Sequence, residues 1–314
     1  MRVLVTGSSG FIGAHVVAEL RERGHEVLGV DRRAPDAVDI LDRPRLMAAF
    51  ESFRPDAVIH LAARTDLEEK LDIRGYAANI EGVENVCAAV RATGTVRRAV
   101  FTSTQLVCRV GYKPAHDQDY APNTMYGESK VMTEKIVRRE DGGGAVWCLT
   151  RPTTVWGPGM SAHYQRFLRM IRNGRYFHVG AKPLQKSFGY VRNVAWQYCR
   201  MLEVPEQEIH RRTFYVGDYR PMSLQHWANT LAAKLRGPRI RTLPLWIART
   251  AARIGDAVNA AGFRRFPFNS FRLRNVLTEY TFDLRATETV CGAVPHSLDE
   301  AAEETARWFM ALDS

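Results

Sequence analysis

Residues Thr6 to Gly13 read TGSSGFIG and stand directly behind the apolar run RVLVT. A strand that ends in this spacing of glycines and opens a helix leaves little choice of fold. Gly7 permits the tight turn, Gly10 lets backbone approach a pyrophosphate, and Gly13 lets the helix pack closely on the strand. Phe11 and Ile12 then begin a helix whose unpaired N–H groups and partial positive charge suit an anion. The chain is therefore expected to start with a dinucleotide-binding βαβ unit, with Gly7, Gly10, Phe11, Ile12 and Gly13 at the phosphates. About 18 residues after Gly13, at the end of the next apolar run, stands Asp31, where a carboxylate can hold both hydroxyls of the adenine ribose and repel a 2′-phosphate. NAD is the expected cofactor. Arg32 and Arg33 follow at once, and guanidinium groups take phosphate well, so NADP stays open as an alternative.

Behind the loop, short β-branched runs alternate with helical patterns: HEVLGV, Pro44 to Phe53, DAVIHLAA, Ile73 to Ala92, RRAVFTS, Thr124 to Arg139 and AVWCLTR. That rhythm predicts a Rossmann-type α/β fold, a doubly wound parallel sheet, and the continuously apolar strands predict helices on both faces. After Arg151 the rhythm breaks at Gly157, Pro158 and Gly159. Residues 1–155 are expected to form the dinucleotide-binding domain, with 186–217 returning to it. Residues 156–185 and 218–314 are expected to form a smaller C-terminal α/β substrate domain.

Tyr126-Gly-Glu-Ser-Lys130 places a tyrosine and a lysine one helical turn apart, so both project from one face. A free tyrosine, with a pKa of about 10, is a poor base at neutrality. A neighbouring ammonium and a positive nicotinamide are expected to favour its phenolate. Thr104, at the end of RRAVFTST, could hydrogen-bond the same substrate oxygen. Thr104, Tyr126 and Lys130 are the expected catalytic set.

With these residues in place the sequence resembles the extended short-chain dehydrogenases/reductases, the NAD-dependent epimerase/dehydratase type. The resemblance runs through TGSSGFIG, Asp31, Asp39-Ile40, HLAA at His60 to Ala63, Asn79, TST at Thr102 to Thr104, YGESK, RPTTVWGPG from Arg151 and YVRNVA from Tyr190. It implies that Asp39 and Ile40 flank the adenine, that Leu61, Ala62 and Ala63 line the cofactor with Asn79 and Thr102, and that Lys130 also binds the nicotinamide ribose. It further implies that Pro152, Thr154 and Val155 cover the nicotinamide. Thr154 stands where Asn is common in the family. It implies a homodimer built on the helices holding Asn79 to Ala92 and Tyr126 to Arg139. Sugar dehydratases of the family follow the catalytic Thr with an acid pair, whereas Gln105 and Leu106 follow Thr104 here, which removes the carboxylate that β-elimination needs. Substrate contacts are expected among Gln105, His163, Lys186, Arg192 and Arg272, with Tyr164, Arg166 and Arg274 beside them.

The formal net charge is +10, and between Arg151 and Arg274 Lys and Arg outnumber Asp and Glu several-fold. Nothing in the sequence matches a nucleic-acid-binding module, so a diphosphate-bearing small substrate is the expected anion. Five cysteines at wide, unpaired spacing predict reduced thiols, no disulfide framework and no metal site. With a strand at residue 2 and no long apolar stretch, a cytoplasmic location is expected. The stretch Pro244 to Phe266, with Trp246 and Phe263, is amphipathic and basic; a helix of the second domain is expected there rather than a membrane contact. The leading reading is an NAD-dependent nucleotide-sugar 4-epimerase or related sugar oxidoreductase. The alternative is a reductase or dehydrogenase of a steroid-like, polyketide or aromatic alcohol or ketone. A third, an NAD sensor without turnover, has no need of Thr104, Tyr126 and Lys130 together.

Overall fold

The structure is a computed structural model that describes residues 1–34, 36–67, 69, 72–260 and 269–312. Phe263 and Phe266 lie outside the described residues. The chain divides into two compact units. The first comprises Met1–Val155, Phe188–Tyr219 and Phe282–His296, and the second comprises Trp156–Ser187, Arg220–Thr281 and Ser297–Ser314.

Elements are numbered along the chain. The first stretch runs β1 (Arg2–Thr6), α1 (Phe11–Glu22), β2 (Glu26–Val30), α2 (Arg43–Phe53), β3 (Ala57–His60), α3 (Ala77–Thr93), β4 (Arg98–Thr102), α4 (Met125–Arg139), β5 (Val146–Pro152) and β6 (Thr154–Trp156). There follow α5 (Ala162–Arg172), β7 (Phe177–Val179), β8 (Gln185–Lys186), β9 (Phe188–Tyr190), α6 (Val191–Glu203), α7 (Glu206–Ile209) and β10 (Arg212–Val216). The last part holds β11 (Met222–Ser223), α8 (Leu224–Lys234), β12 (Arg241–Leu243), α9 (Leu245–Ala260), α10 (Ser270–Leu277), α11 (Arg285–Cys291) and α12 (Leu298–Leu312).

In the first unit six strands form one sheet in the order β10-β5-β4-β3-β1-β2, parallel throughout. Successive strand residues face opposite sides, and both sides are covered. Val3, Val5, Ile59, Val100 and Cys148 pack with Val16 and Leu20 of α1 and Val194, Tyr198 and Met201 of α6. Leu4, Val58, Ala99, Phe101 and Leu149 pack with Val83, Val86 and Val90 of α3 and Ile136 and Val137 of α4. Burying each Val, Leu, Ile, Phe or Met among them stabilises the fold by about 1.5–3 kcal/mol, and this two-sided cover is why the strands read as unbroken apolar runs. β1 lies between β2 and β3, so the order in which the chain adds strands reverses there while all strands stay parallel. The crevice at the carboxyl ends of such strands is where open α/β sheets bind ligands.

The segment Phe282–His296 belongs to this first unit, whereas the sequence placed all of 218–314 in the second domain. Long-range contacts hold it there: Thr287 donates to the Tyr215 carbonyl at 2.6 Å, the Phe282 and Tyr215 rings stack at 4.3 Å, and Val290 and Cys291 enter the core beside α6. The second unit has two small sheets, β7 with β12 and β8 with β11. Its aromatic centre stacks Phe167 on Trp227 at 5.4 Å, with Trp156 edge-on to Trp227 at 5.6 Å. All five cysteines are buried free thiols.

Candidate active site

The glycine loop behaves as its spacing requires. Gly7 has φ +72°, which L side chains rarely adopt, and a Cβ there would stand 2.6 Å from the Ala62 nitrogen. Loop β1–α1 and the segment after β3 thus approach backbone to backbone. A Cβ on Gly13 would collide with the Gly7 carbonyl, so only glycine lets α1 start this close to β1. No side chain among the described residues caps the α1 N-terminus, which leaves its first N–H groups for a ligand. Asp31 is buried at the end of β2; its carboxylate accepts from the Ser9 N–H at 3.1 Å and the Arg33 N–H at 2.9 Å. Arg32 and Arg33 are exposed. Ile40 is buried, and its carbonyl accepts from Asn85 at 3.0 Å; the Asp39 carboxylate accepts from the Leu41 N–H at 2.9 Å.

α4 carries Tyr126 and Lys130. Its N-cap is Thr124, which accepts from the Gly127 N–H at 3.0 Å, and Glu128 in the first turn with Arg138 and Arg139 in the last complement the helix dipole. The Thr104 hydroxyl accepts from the Leu106 N–H at 3.2 Å, which leaves its proton free for a second partner, and Thr104 lowers the pKa of Tyr126. The two residues join the end of β4 to the start of α4. Tyr76 lies against Tyr126, ring centroids 6.1 Å apart, and the Arg64 guanidinium covers Tyr76 at 5.0 Å.

The electrostatics differ from the sequence expectation. Burial pushes Tyr126 up to about 12, against which the Thr104 hydrogen bond lowers it and Tyr76 raises it. Lys130 is itself buried, and desolvation pushes it down to about 8, opposed by Glu134. Its Nζ makes no hydrogen bond or ion pair with the described residues. A buried cation without a partner is costly unless something else meets it, and a ribose hydroxyl pair is chemistry that fits.

His60, at the end of β3, shares a hydrogen bond between its Nδ1 and the Thr6 hydroxyl at 2.7 Å; burial, then the Lys130 charge, push it down to about 3. Thr6 in turn accepts from the Ala62 N–H at 3.2 Å, fixing the start of Leu61 to Ala63.

Three expected contact residues have other work. Asn79 donates to Ser129 at 2.8 Å and to the Arg64 carbonyl at 3.0 Å, and accepts from the Arg64 N–H at 2.8 Å; Ser129 donates to the Tyr126 carbonyl at 2.7 Å. Asn79 therefore braces the segment after β3 against the catalytic helix. Thr102 bonds Tyr198 of α6 at 2.8 Å, as does Thr150. Lys186 donates to the carbonyls of Asn275 and Thr278 at 3.0 and 3.1 Å, where its charge meets the negative end of α10; that occupies two of its three protons.

Gln105 follows Thr104 and donates to Thr154 at 3.2 Å, which fixes the residue that succeeds Pro152 and Thr153 and precedes Val155. Arg192 lies on α6, in the first unit. His163 and Arg272 are exposed in the second unit, on α5 and α10. One group of residues went unnoticed in the sequence. Glu134, four residues beyond Lys130, is fully buried and pairs with Arg151 at 2.8 Å. It also accepts from Ser103 at 2.6 Å and Tyr120 at 2.9 Å. The i, i+4 spacing from Lys130 was the available signal.

A glycine loop at a parallel-sheet switch point, a fixed acid at the end of β2 and a Thr/Tyr/Lys set on β4 and α4 define a dinucleotide-binding oxidoreductase of the extended short-chain type. Residues 3–217 match the NAD dependent epimerase/dehydratase family, and the chain belongs to that family. It is similar to a 3-beta-hydroxysteroid dehydrogenase of Mycolicibacterium neoaurum, 30% identical over 76% of this chain and 72% of the relative. It is also similar to the N-acetyl-alpha-D-glucosaminyl-diphospho-ditrans,octacis-undecaprenol 4-epimerase of Escherichia coli O157:H7, 28% identical over 61% of this chain and 60% of that one. Among solved structures, a UDP-glucose 4-epimerase of Thermotoga maritima with UDP-glucose superposes with a TM-score of 0.75 at 22% identity, covering 100% of both chains; this shows the shared fold.

Proposed function

We propose that the chain is an NAD-dependent oxidoreductase of a diphosphate-linked sugar, acting as a 4-epimerase through a keto intermediate. One observation carries the chemistry: Tyr126, whose pKa Thr104 lowers, and the buried Lys130, without a hydrogen-bond partner among the described residues, stand one turn apart on α4, and Gln105 and Leu106 follow Thr104 where an eliminating enzyme needs a carboxylate. Gly7 to Gly13 would hold the pyrophosphate, Asp31 the adenine ribose and Lys130 the nicotinamide ribose. The bound dinucleotide supplies the hydride acceptor and a positive ring. Thr104 orients the substrate hydroxyl, and Tyr126 takes its proton on oxidation and returns it on reduction. Because burial, the largest cause, holds Tyr126 near 12, positive charge added beside it makes the phenolate more accessible. Oxidation is thus coupled to a loaded cofactor site. An acidic residue at position 31, Asp31, favours NAD over NADP. A cytoplasmic homodimer built on α3 and α4 is part of the same reading.

The E. coli relative supports the sugar diphosphate. A second reading, a reductase of an apolar alcohol or ketone, is favoured by the Mycolicibacterium relative and by a cavity of about 640 Å³ in the second unit whose walls include Val179, Leu184, Leu243 and Leu277. Thermal unfolding with NAD, NADP and a panel of UDP-sugars and diphosphate-linked sugars, followed by turnover assays, separates the two. A midpoint raised by NAD and again by one sugar diphosphate supports epimerisation. A response to NAD and to a sterol or alkyl ketone, with none to sugars, replaces it with the second reading.

A further inference from the structure

A surface helix ordinarily turns its large apolar residues inward, and α9 does the reverse. Toward the second unit it buries Ala248, Ala252 and Gly255, the first two packed with Leu273, Val179 and Leu277. Toward solvent it presents Trp246, 69% exposed, and Ile254, 57% exposed. By helical geometry these share one face with Arg249, Thr250 and Arg253, all exposed. The adjoining α10 repeats the pattern, with Leu273 buried and Phe271 63% exposed between exposed Arg272 and Arg274. The acid of α9, Asp256, accepts from the Ser270 N–H at 3.1 Å and so joins the two helices.

We propose that this face of α9 and α10 docks on an anionic lipid bilayer. Trp and Phe favour the boundary between acyl chains and headgroups, arginine stems lie along the apolar surface with their guanidinium groups at lipid phosphate, and α9 lies in the interface plane. The helix does not span: among the described residues none is long and apolar enough to cross a membrane. Charge decides between a bilayer and a second copy of the chain. A two-fold contact brings the same patch from both copies together, so Arg249, Arg253, Arg272 and Arg274 would face their own like, whereas an anionic surface complements them. Membrane docking is independent of the reaction proposed above, since Trp246, Ile254 and Phe271 belong to none of its machinery.

The test is co-sedimentation of the full chain, loaded with NAD, with vesicles of phosphatidylcholine alone or with about a third phosphatidylglycerol. Expected are binding to the anionic vesicles, little to the neutral ones, and loss of binding in about 0.5 M NaCl. Partition should fall roughly tenfold or more in the Trp246→Ser/Phe271→Ser double variant, with an unchanged unfolding midpoint and unchanged turnover of soluble substrate. No binding to anionic vesicles at low salt overturns the proposal, as does binding that the double variant retains in full. Sedimentation velocity in the absence of lipid adds a third arm: a dimer that the double variant dissociates, with no vesicle binding by either protein, replaces the bilayer with a second copy.

Discussion

Tyr126 and Lys130 are one turn apart and both buried, and burial acts on them in opposite directions because it disfavours whichever form is charged. Replacing the phenol by Phe keeps the ring against Tyr76 and removes only the proton carrier. Tyr126→Phe should therefore lower kcat by about 10²–10⁴-fold while NAD still raises the unfolding midpoint; near-normal turnover would show that another group moves the proton. Lys130 yields a prediction with the unusual sign that losing an active-site residue stabilises the protein. Its ammonium titrates at about 8 when folded and near 10.4 when unfolded, so at pH 7 it is charged in both states and its buried charge opposes folding. The unfolded chain binds the extra proton between those values, so this cost is full below about 8 and is gone above about 10.5. Lys130→Met should raise the urea-derived stability of the cofactor-free protein by up to about 3 kcal/mol at pH 7, and that gain should vanish by about pH 10.5, with turnover lost throughout.

α4 is held in place by β5 through the ion pair of Glu134 and Arg151, whose side chains are almost wholly excluded from water. Arg151 also donates to Tyr215 of β10 at 3.1 Å and to the Asp117 carbonyl, so one guanidinium ties the catalytic helix to two strands and a loop. Arg151→Met would leave the Glu134 carboxylate buried with only hydroxyl donors and should cost about 3–5 kcal/mol. Glu134→Gln/Arg151→Met should cost less than Arg151→Met alone, a non-additivity measurable by urea unfolding; simple additivity would mean that the carboxylate is already compensated. This pair also shows where reading the sequence stops. The glycine loop, Asp31 and the Tyr126/Lys130 spacing were legible because each is a local pattern whose geometry follows from one strand end or one helical turn. The expected return of residues 186–217 to the first domain agrees with the placing of Phe188–Tyr219 in the first unit. The roles of Asn79, Thr102 and Lys186 were not legible, because their partners Ser129, Tyr198 and Thr278 come from elements 50, 96 and 92 residues away, and nothing local announces them. The return of Phe282–His296 to the first unit likewise rests on contacts with Tyr215 and α6 that only the assembled sheet creates. The inverted helix α9 was visible as an amphipathic segment, but which of its faces the protein covers was not.

At the scale of the whole chain, two buried groups with large shifts and opposite linkage, His60 and Asp218, shape the response to acid between about pH 6 and 4. His60 is held neutral by burial, with a folded value of about 3 against about 6.5 unfolded. The unfolded chain binds the extra proton between these values, so the stability associated with His60 is complete above about 6.5 and declines as pH falls. Asp218 accepts from Asn193 at 2.8 Å and from the Tyr190 N–H at 3.1 Å, yet desolvation pushes it up to about 6. Between about 3.9 and 6 the folded chain therefore holds the extra proton, and Asp218 adds stability as pH falls through that range. The two slopes offset each other from about pH 6 to 4. Below about 4 His60 is joined by carboxylates held low in the folded chain, among them Asp141 and Asp283, which Arg211 and Arg285 hold down to about 2. Their exposure keeps that share small. The wild-type unfolding free energy should thus be nearly level from pH 6 to 4 and fall below it. In Asp218→Asn the decline should begin already near pH 6, whereas in His60→Gln stability should rise on acidification from 6 to 4. Urea titrations of the three proteins at half-unit intervals measure these slopes directly, and identical profiles in the two variants would mean that neither group carries the linkage.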